Sequence, residues 1–498
     1  MTKRLVVLGA LIALPFVASA RVGGGQSYSG SRSGSSSSHS SSSSSSSWGQ
    51  HSSTTYSGTR SSGGSTELSG FDLLWVLLIV VVCVIAVGSG FLKEMRKKAV
   101  YEPSSDDAGP PAPTRSAQSV ADELRAIDPS FSEPVFLEWA TLLYVRAQTA
   151  RGGDTEALEP WFSQPAEQLG PKLGTFTLTR VRGVVVGSQK LLALGAHEGF
   201  DTLGVLFQAC LTVTVGQKEQ SLYVHERWVF RRKKGVASRT PDTVGREGCP
   251  MCGSPFERSS LGRCQSCDAS LAPGASDWAV FSTTVQRLET RPPLLEGTVE
   301  EIGTDLPTIF DEGLEDGLAA LEQAGFDRAR FLERAKVIFF ALQNGWTNQA
   351  WDTLRPYETE SVFQSHRFWM DEYKKQGLRN VLTGVTLHEI ELVKASSDAA
   401  YEVLTCRMHA SMRDSTVNVK TGKLVGGNPK ANRDFTEYWT FLRRPGAKGA
   451  DDDAKCPSCG APLKVTQAGI CEYCQASITR GQFDWVLSRI EQDEDYQG

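Results

Sequence analysis

The sequence predicts an α+β protein whose non-membrane part is two tandem copies of one domain, and three observations carry that reading. In each copy, segments of helical period come first and segments of strand period follow. One helix motif and one strand motif each occur twice at a nearly constant offset. Each copy then closes on a four-cysteine cluster of the same spacing.

The helix motif is FSEPVFLEWATLLYVRAQ from Phe131 and FDRARFLERAKVIFFALQ from Phe326. Both hold a Phe-Leu-Glu core, space their apolar residues as a helix does, and close on Gln148 or Gln343. ALEPWF and TLRPYE follow, with Pro160 and Pro356 as breakers. Farther along, the period shortens to two. Leu404, Cys406, Met408, Ala410 and Met412 share one face of a strand, as do Phe207, Ala209, Leu211, Val213 and Val215. ERWVFRRKKG, Glu226 to Gly235, and EYWTFLRRPG, Glu437 to Gly446, read as the last strand of each copy. Helices before strands predict helices packed on one face of a curved antiparallel sheet.

Eight of the 11 cysteines form four C-x2-C pairs. Cys249 and Cys252 stand eleven residues before Cys264 and Cys267, and the same gap separates Cys456 and Cys459 from Cys471 and Cys474. Two such turns close a tetrahedral thiolate shell with no open position, so the clusters read as two structural zinc sites rather than catalytic or redox centres. Gly253 and Gly460 let the backbone fold back beneath the sulfurs, and an Asp-Trp pair follows each cluster at Asp277 and Asp484. The remaining cysteines, Cys83, Cys210 and Cys406, read as apolar packing residues. The first domain is placed at 120–290 with its ribbon at 249–267, and the second at 306–490 with its ribbon at 456–474. A linker at 291–305 joins them, and 491–498 reads as an acidic, solubilising tail.

The N-terminal region is organised differently. Residues 1–20 have the basic start, apolar run and Ala-Ser-Ala end of a signal peptide. Residues 21–70 are rich in Ser and Gly and too poor in aliphatic side chains to offset ordering entropy, which predicts disorder. Residues 71–92 are predicted to form one transmembrane helix, since about 20 apolar residues span a hydrocarbon core of roughly 30 Å. Lys93, Arg96, Lys97 and Lys98 open a basic stretch and linker over 93–119. Their charge places the C-terminal domains on the cytoplasmic face of the plasma membrane and the Ser-rich segment outside. A cleaved signal leaves a single-pass protein and an uncleaved one a two-span hairpin; both orientations suit reduced thiols.

A net charge of -5 gives no reason to expect nucleic acid as a partner. The sequence holds no P-loop, dinucleotide fingerprint, HExxH or nucleophile elbow, so no catalytic residue is assigned and the chain reads as non-enzymatic. His388 sits in a strand-like stretch without metal spacing and reads as a solvent-facing or satisfied histidine. The basic run Arg231 to Lys234, and Arg443 with Arg444, read either as solvated strand ends or as contacts to anionic lipid head groups.

From about Leu306 to Arg444 the second copy resembles a Tim44-like domain, named after the membrane-anchoring subunit of the mitochondrial protein-import motor. LPTIF, FLERAKVIFFALQNGW, WDTLRPYETESVF and TEYWTFLRR carry the resemblance. The N-terminus, with RVGGGQSYSG after the signal and then a Ser-rich tail and one span, is similar to bacterial members of that family. The first copy resembles a diverged version that keeps the helix motif, Pro160 and ERWVF. The resemblance implies two cone-like domains of the nuclear transport factor 2 and cystatin-like group. It also implies binding to anionic lipids and a scaffolding role toward protein partners, in protein translocation or membrane-complex assembly. Two alternatives stand beside it. One is a nucleic-acid- or ribosome-associated zinc-ribbon module at the membrane; the other is an enzyme with a carboxylate or tyrosine at the floor of the cone.

Overall fold

The computed structural model describes residues 18–19, 100–101, 117–239, 249, 251–254, 262–291, 297–298, 304, 306–449, 454–493 and 495–498. The Ser-rich segment and the predicted span lie outside these residues, as do most of the predicted signal peptide and of the two linkers. Among the described residues no helix is long and apolar enough to cross a membrane.

The chain builds two α+β lobes. In the first, helices α1 (Ala117–Ile127) and α2 (Glu133–Ala150) pack against β1 (Arg180–His197). Antiparallel strands β2 (Phe200–Val215), β3 (Lys218–Lys233) and β4 (Ala279–Arg291) follow, paired in chain order. In the second lobe, helices α3 (Leu314–Gln323), α4 (Arg328–Asn348) and α5 (Glu360–Lys375) precede the strands β5 (Leu378–Ser397) and β6 (Glu402–Asn418). The short β7 (Leu424–Gly427) pairs with the end of β6, and β8 (Arg433–Arg443) and β9 (Val486–Gln492) complete the order β5-β6-β8-β9. Both lobes place their helices before their long strands, but the 16-residue α5 has no helix of like length at that place in the first lobe, where Pro165–Gln168 is a single turn.

Local sequence explains these elements. The helix motif from Phe131 forms α2, with Ser132 extended at the N-cap and Pro134 in the first turn, where its missing N–H costs nothing. Phe136, Ala140, Leu143, Tyr144 and Ala147 recur at helical spacing and are buried. The motif from Phe326 forms α4. Its Asp327 side chain accepts the Arg330 amide at 3.0 Å, and the helix stops at Gln349 in the left-handed region. The predicted strand faces hold: Phe207, Ala209, Leu211 and Val213 are buried on β2, and Leu404, Cys406, Met408, Ala410 and Met412 on β6. Trp228 and Trp439, which follow Glu226 and Glu437 by two residues, centre the two cores at 0% exposure. Tyr144 stacks on Phe207 with centroids 4.5 Å apart, and Phe207 meets Trp228 edge-on at 5.4 Å. Burial takes Cys210 and Cys406 out of solvent, as packing residues should be.

Three expectations are corrected. ERWVF and EYWTF lie on β3 and β8, which are not the last strands of their lobes. After each cysteine cluster the chain returns, and β4 pairs with β3 as β9 pairs with β8. The clusters are therefore insertions between two paired strands rather than terminal additions. The Asp-Trp pairs lead into the returning strands, with Trp278 and Trp485 buried against the aromatic residues of each core.

The segment 491–498 is not a free acidic tail. Glu491 lies on β9, and the Asp493 carboxylate pairs with Arg407 at 2.6 Å while accepting from Thr436. Tyr496 stacks on Tyr438 with centroids 3.7 Å apart. A carboxylate is tolerated in a buried strap when a guanidinium and hydroxyl groups satisfy its lone pairs. The run Arg231 to Lys234 is likewise not uniformly solvent-facing. Arg232 is 1% exposed, bound to Asp128 at 2.8 Å and lying over the Trp278 ring. Alternation along β3 turns it inward while Lys233 and Lys234 stay exposed.

The lobes meet along α2, β1 and α5. Val135, Tyr401, Leu442 and Val486 form a buried apolar cluster there, with Trp139 packed on it. Arg182 pairs with Glu372 at 2.6 Å, and Gly183 faces the Phe368 ring so closely that a Cβ would lie 2.0 Å from it. Glu138 of α2 accepts from the Ser361 amide at 2.9 Å and the Ser361 hydroxyl at 2.5 Å, at the first turn of α5.

Candidate metal centres

The four C-x2-C turns adopt one local geometry. In each, the amide of the residue just after the second cysteine donates to the carbonyl of the first: Gly253 to Cys249 at 2.9 Å, Asp268 to Cys264 at 2.9 Å, Gly460 to Cys456 at 2.8 Å and Gln475 to Cys471 at 3.0 Å. The first cysteine's own amide donates onward, to Ser254, Ala269, Ala461 and Ala476 respectively. This ring forces the residue after the second cysteine into the left-handed region. Glycine satisfies it at Gly253 and Gly460, and Asp268 and Gln475 adopt it at φ 58° and 61°.

The turns bring all eight predicted ligands into two groups of four. Within Cys249, Cys252, Cys264 and Cys267, and within Cys456, Cys459, Cys471 and Cys474, the sulfurs lie within 4.8 Å of one another. Cys249 and Cys267 are 3.7 Å apart, Cys252 and Cys264 3.8 Å, and Cys456 and Cys474 3.8 Å. A tetrahedron of ~2.3 Å metal–sulfur bonds has edges of ~3.8 Å. The donor set and its spacing therefore fit a four-coordinate thiophilic ion with no position left for water.

Local donors favour the thiolate at Cys252, Cys264 and Cys474, whereas Cys249, Cys267 and Cys456 are held above the ordinary thiol value. Hydrogen bonds from the Ser254 hydroxyl and amide draw the Cys252 thiol down to about 6. The Ala476 amide brings Cys474 down to about 7. Burial instead pushes Cys456 up to about 11, so a bound cation is what would complete its ionisation. In each group the first cysteine of each pair is buried and the second exposed, which anchors the cluster on the protein side.

The second cluster is tied to its lobe by Arg355, which is 1% exposed. Its Nε donates to the Gln467 carbonyl at 2.7 Å, one guanidinium nitrogen to the Glu358 carbonyl at 2.7 Å, and the other pairs with Glu360 at 2.6 Å. The cluster loop is thereby fixed against the start of α5.

The structure leaves His388 exposed and bonded to the Ser411 hydroxyl at 2.8 Å, consistent with its reading as a satisfied surface histidine. A group that sequence reasoning missed lies nearby: Glu389, Glu391 and His409 bring one ligand atom each within 4.8 Å. Cross-strand register opposes Glu389 to His409, and this pairing has no signal in local spacing. His409 and Thr308 both contact the same Glu391 oxygen at 2.9 Å. Against the effect of burial, these bonds hold the Glu391 carboxyl below its ordinary range. The carboxylate is thus satisfied by protein donors.

Fold and site together define a class: an α+β protein of two like-ordered helix-on-sheet lobes, each with a four-cysteine group positioned to hold a metal ion. Residues 318–452 match the Tim44-like domain. That stretch runs from within α3 through β8 and ends before the second cysteine group and β9. No curated protein matches the chain.

Proposed function

We propose that the chain is a membrane-tethered, non-enzymatic scaffold in which two tandem Tim44-like domains, on the cytoplasmic face, bind anionic lipid and protein partners. The match of residues 318–452 to the Tim44-like domain carries the reading. Its extension to the first lobe is supported by the shared strand order and by the paired core residues Trp228 and Trp439. In this reading both lobes are cone-like domains, and their inserted clusters are structural zinc ribbons that stiffen the turn between the third and fourth long strands. The scaffold works in protein translocation or membrane-complex assembly.

The state of two interior carboxylates, the ones beside the core tryptophans Trp228 and Trp439, supports a scaffold. Glu226 is held by Gln148 at 2.5 Å and Arg151 at 3.1 Å. Glu437 accepts from Trp439 at 3.0 Å and Gln492 at 3.1 Å. Both are at most 1% exposed and spend their lone pairs on the fold.

Lipid binding is tested with residues 100–498 and two kinds of vesicle, one of neutral phosphatidylcholine and one containing anionic phospholipid. The protein should sediment with the second and stay in solution with the first, and the difference should shrink with salt. Equal sedimentation with both, or with neither, would remove the lipid role.

A further inference from the structure

The second cysteine cluster is attached at both flanks to residues of the seam between the lobes. Its loop leaves β8 one residue past Leu442 and re-enters the sheet at Val486, the first residue of β9. Leu442 and Val486 are two of the four buried residues that join the lobes, with Val135 and Tyr401. The loop also folds back on this strand end. The Gly481 carbonyl accepts from the Arg444 amide at 2.7 Å, and a Cβ at Gly481 would lie 3.0 Å from the Leu442 side chain.

The other attachment runs through Arg355. Its guanidinium grips the loop between the two C-x2-C pairs by the Gln467 carbonyl, and a Cβ at Gly469 would lie 2.6 Å from the same group. It also holds the Glu358 carbonyl at 2.7 Å. Within three residues of Glu358, the Thr359 hydroxyl and the Ser361 amide donate to Glu138 of the first lobe, at 3.3 and 2.9 Å. The first cluster has no such position. Arg231, which stands three residues past Trp228 as Leu442 does past Trp439, lies over the Phe200 and Phe281 rings of its own lobe. Ala279, which follows Trp278 as Val486 follows Trp485, is likewise outside the apolar cluster at the seam.

We propose that the second cysteine cluster is a metal-dependent clamp on the seam, whereas the first serves its own lobe alone. Cys456, Cys459, Cys471 and Cys474 gathered on one thiophilic ion keep Gln467 and Gly469 where Arg355 meets them, and Leu442 and Val486 where Val135 meets them. With the cysteines released, Val465 and Ile478 are the buried aliphatic residues left to hold that shape. Such coupling is reciprocal: seam contacts that depend on the ion raise the affinity of the second site by the same factor. The inference rests on the metal reading of the cysteine groups and is independent of lipid binding.

The test uses the zinc-loaded full-length chain in zwitterionic nanodiscs and reads hydrogen exchange of the Ser361 amide, which is bonded to Glu138 across the seam. Cys474→Ser and Cys267→Ser each remove one exposed ligand, from the second site and the first. Cys474→Ser should speed exchange at Ser361 at least about ten-fold and Cys267→Ser less than about two-fold, with the amides of β6 protected in both. Equal or reversed effects overturn the proposal. So does loss of protection along β6, which marks a general loosening of the second lobe. Glu138→Ala runs the linkage the other way with the ligands untouched. In the Cys267→Ser background, which keeps the second site, it should lower zinc affinity about five-fold in competition with a chelator; in the Cys474→Ser background the first site should change less than about two-fold. Should Cys474→Ser fail to fold, the second-site affinity still decides. A parent that holds two zinc ions while Glu138→Ala leaves the second-site affinity unchanged refutes the clamp alone. A parent that binds no metal removes the clamp and the metal reading together.

Discussion

Removing the Glu138 side chain should uncouple the lobes at one identifiable point. Thr359 occupies the N-cap of α5 without a side-chain capping bond, and the first turn is capped instead by Glu138 from α2. The Ser361 amide is one of the orphan donors of that turn, and a carboxylate there also faces the positive end of the helix. Loss of a cap costs about 1 kcal/mol, and the part-buried Ser361 donor left without its partner adds about 1 kcal/mol, the low end of the range for a buried one. Part of this is offset, because burial pushes the Glu138 carboxyl up and Glu138→Ala relieves that desolvation. The net loss for Glu138→Ala should be about 1–2 kcal/mol, read as a lower urea midpoint. A double-mutant cycle with Ser361→Ala should return a coupling of about 1 kcal/mol. The pH dependence adds an independent sign. With the native carboxyl raised, its contribution is fully present below the unfolded value of 4.5 and is lost as pH rises through the native one. Acidification should therefore stabilise the parent relative to Glu138→Gln. Additive single-mutant losses, within about 0.3 kcal/mol, would refute interlobe capping.

Gly183→Ala places a Cβ 2.0 Å from the Phe368 ring across the same seam; overpacking should cost about 1–3 kcal/mol in chemical denaturation. Asp493→Ala should cost about 3–5 kcal/mol in the same assay, because it strands the buried Arg407 guanidinium. A free tail would give no change. Asp128 is buried, yet hydrogen bonds from Ser130, Ser238 and Arg232 hold its carboxyl below the ordinary value of 3.8. Its contribution is present above that unfolded value and fades as pH falls through the native one, so Asp128→Asn should show a flatter loss of stability in acid than the parent. Metal analysis of the purified chain should find two equivalents, and Cys456→Ser should leave one.

The sequence made the clusters legible because C-x2-C turns are local and their ligands are set by spacing alone. Helices α2 and α4 were legible for the same reason: their apolar period lies within one segment. What escaped was non-local. Strand β4 finds its partner across the whole first cluster, and β9 reaches β8 across the second. Glu491, Asp493 and Arg232 carry charges that read as solvent-facing until the residues neutralising them are in place. For Arg232 that residue is Asp128, about a hundred positions earlier. The Glu389, Glu391 and His409 group was hidden likewise, because strand register rather than spacing brings it together.

The insertion of each cluster between paired strands has a kinetic consequence. The sheet of each lobe can gain its last long strand only by closing a loop, from Lys234 to Trp278 in one lobe and from Arg444 to Trp485 in the other. Closure entropy grows with loop length, by about 0.6 kcal/mol per doubling, and non-local pairing slows folding. An ion that gathers four thiols midway along the loop shortens the chain still to be searched. Metal capture would then act as a folding checkpoint: a chain made without the ion keeps the edges of β3 and β8 open longer, as templates for association with other chains.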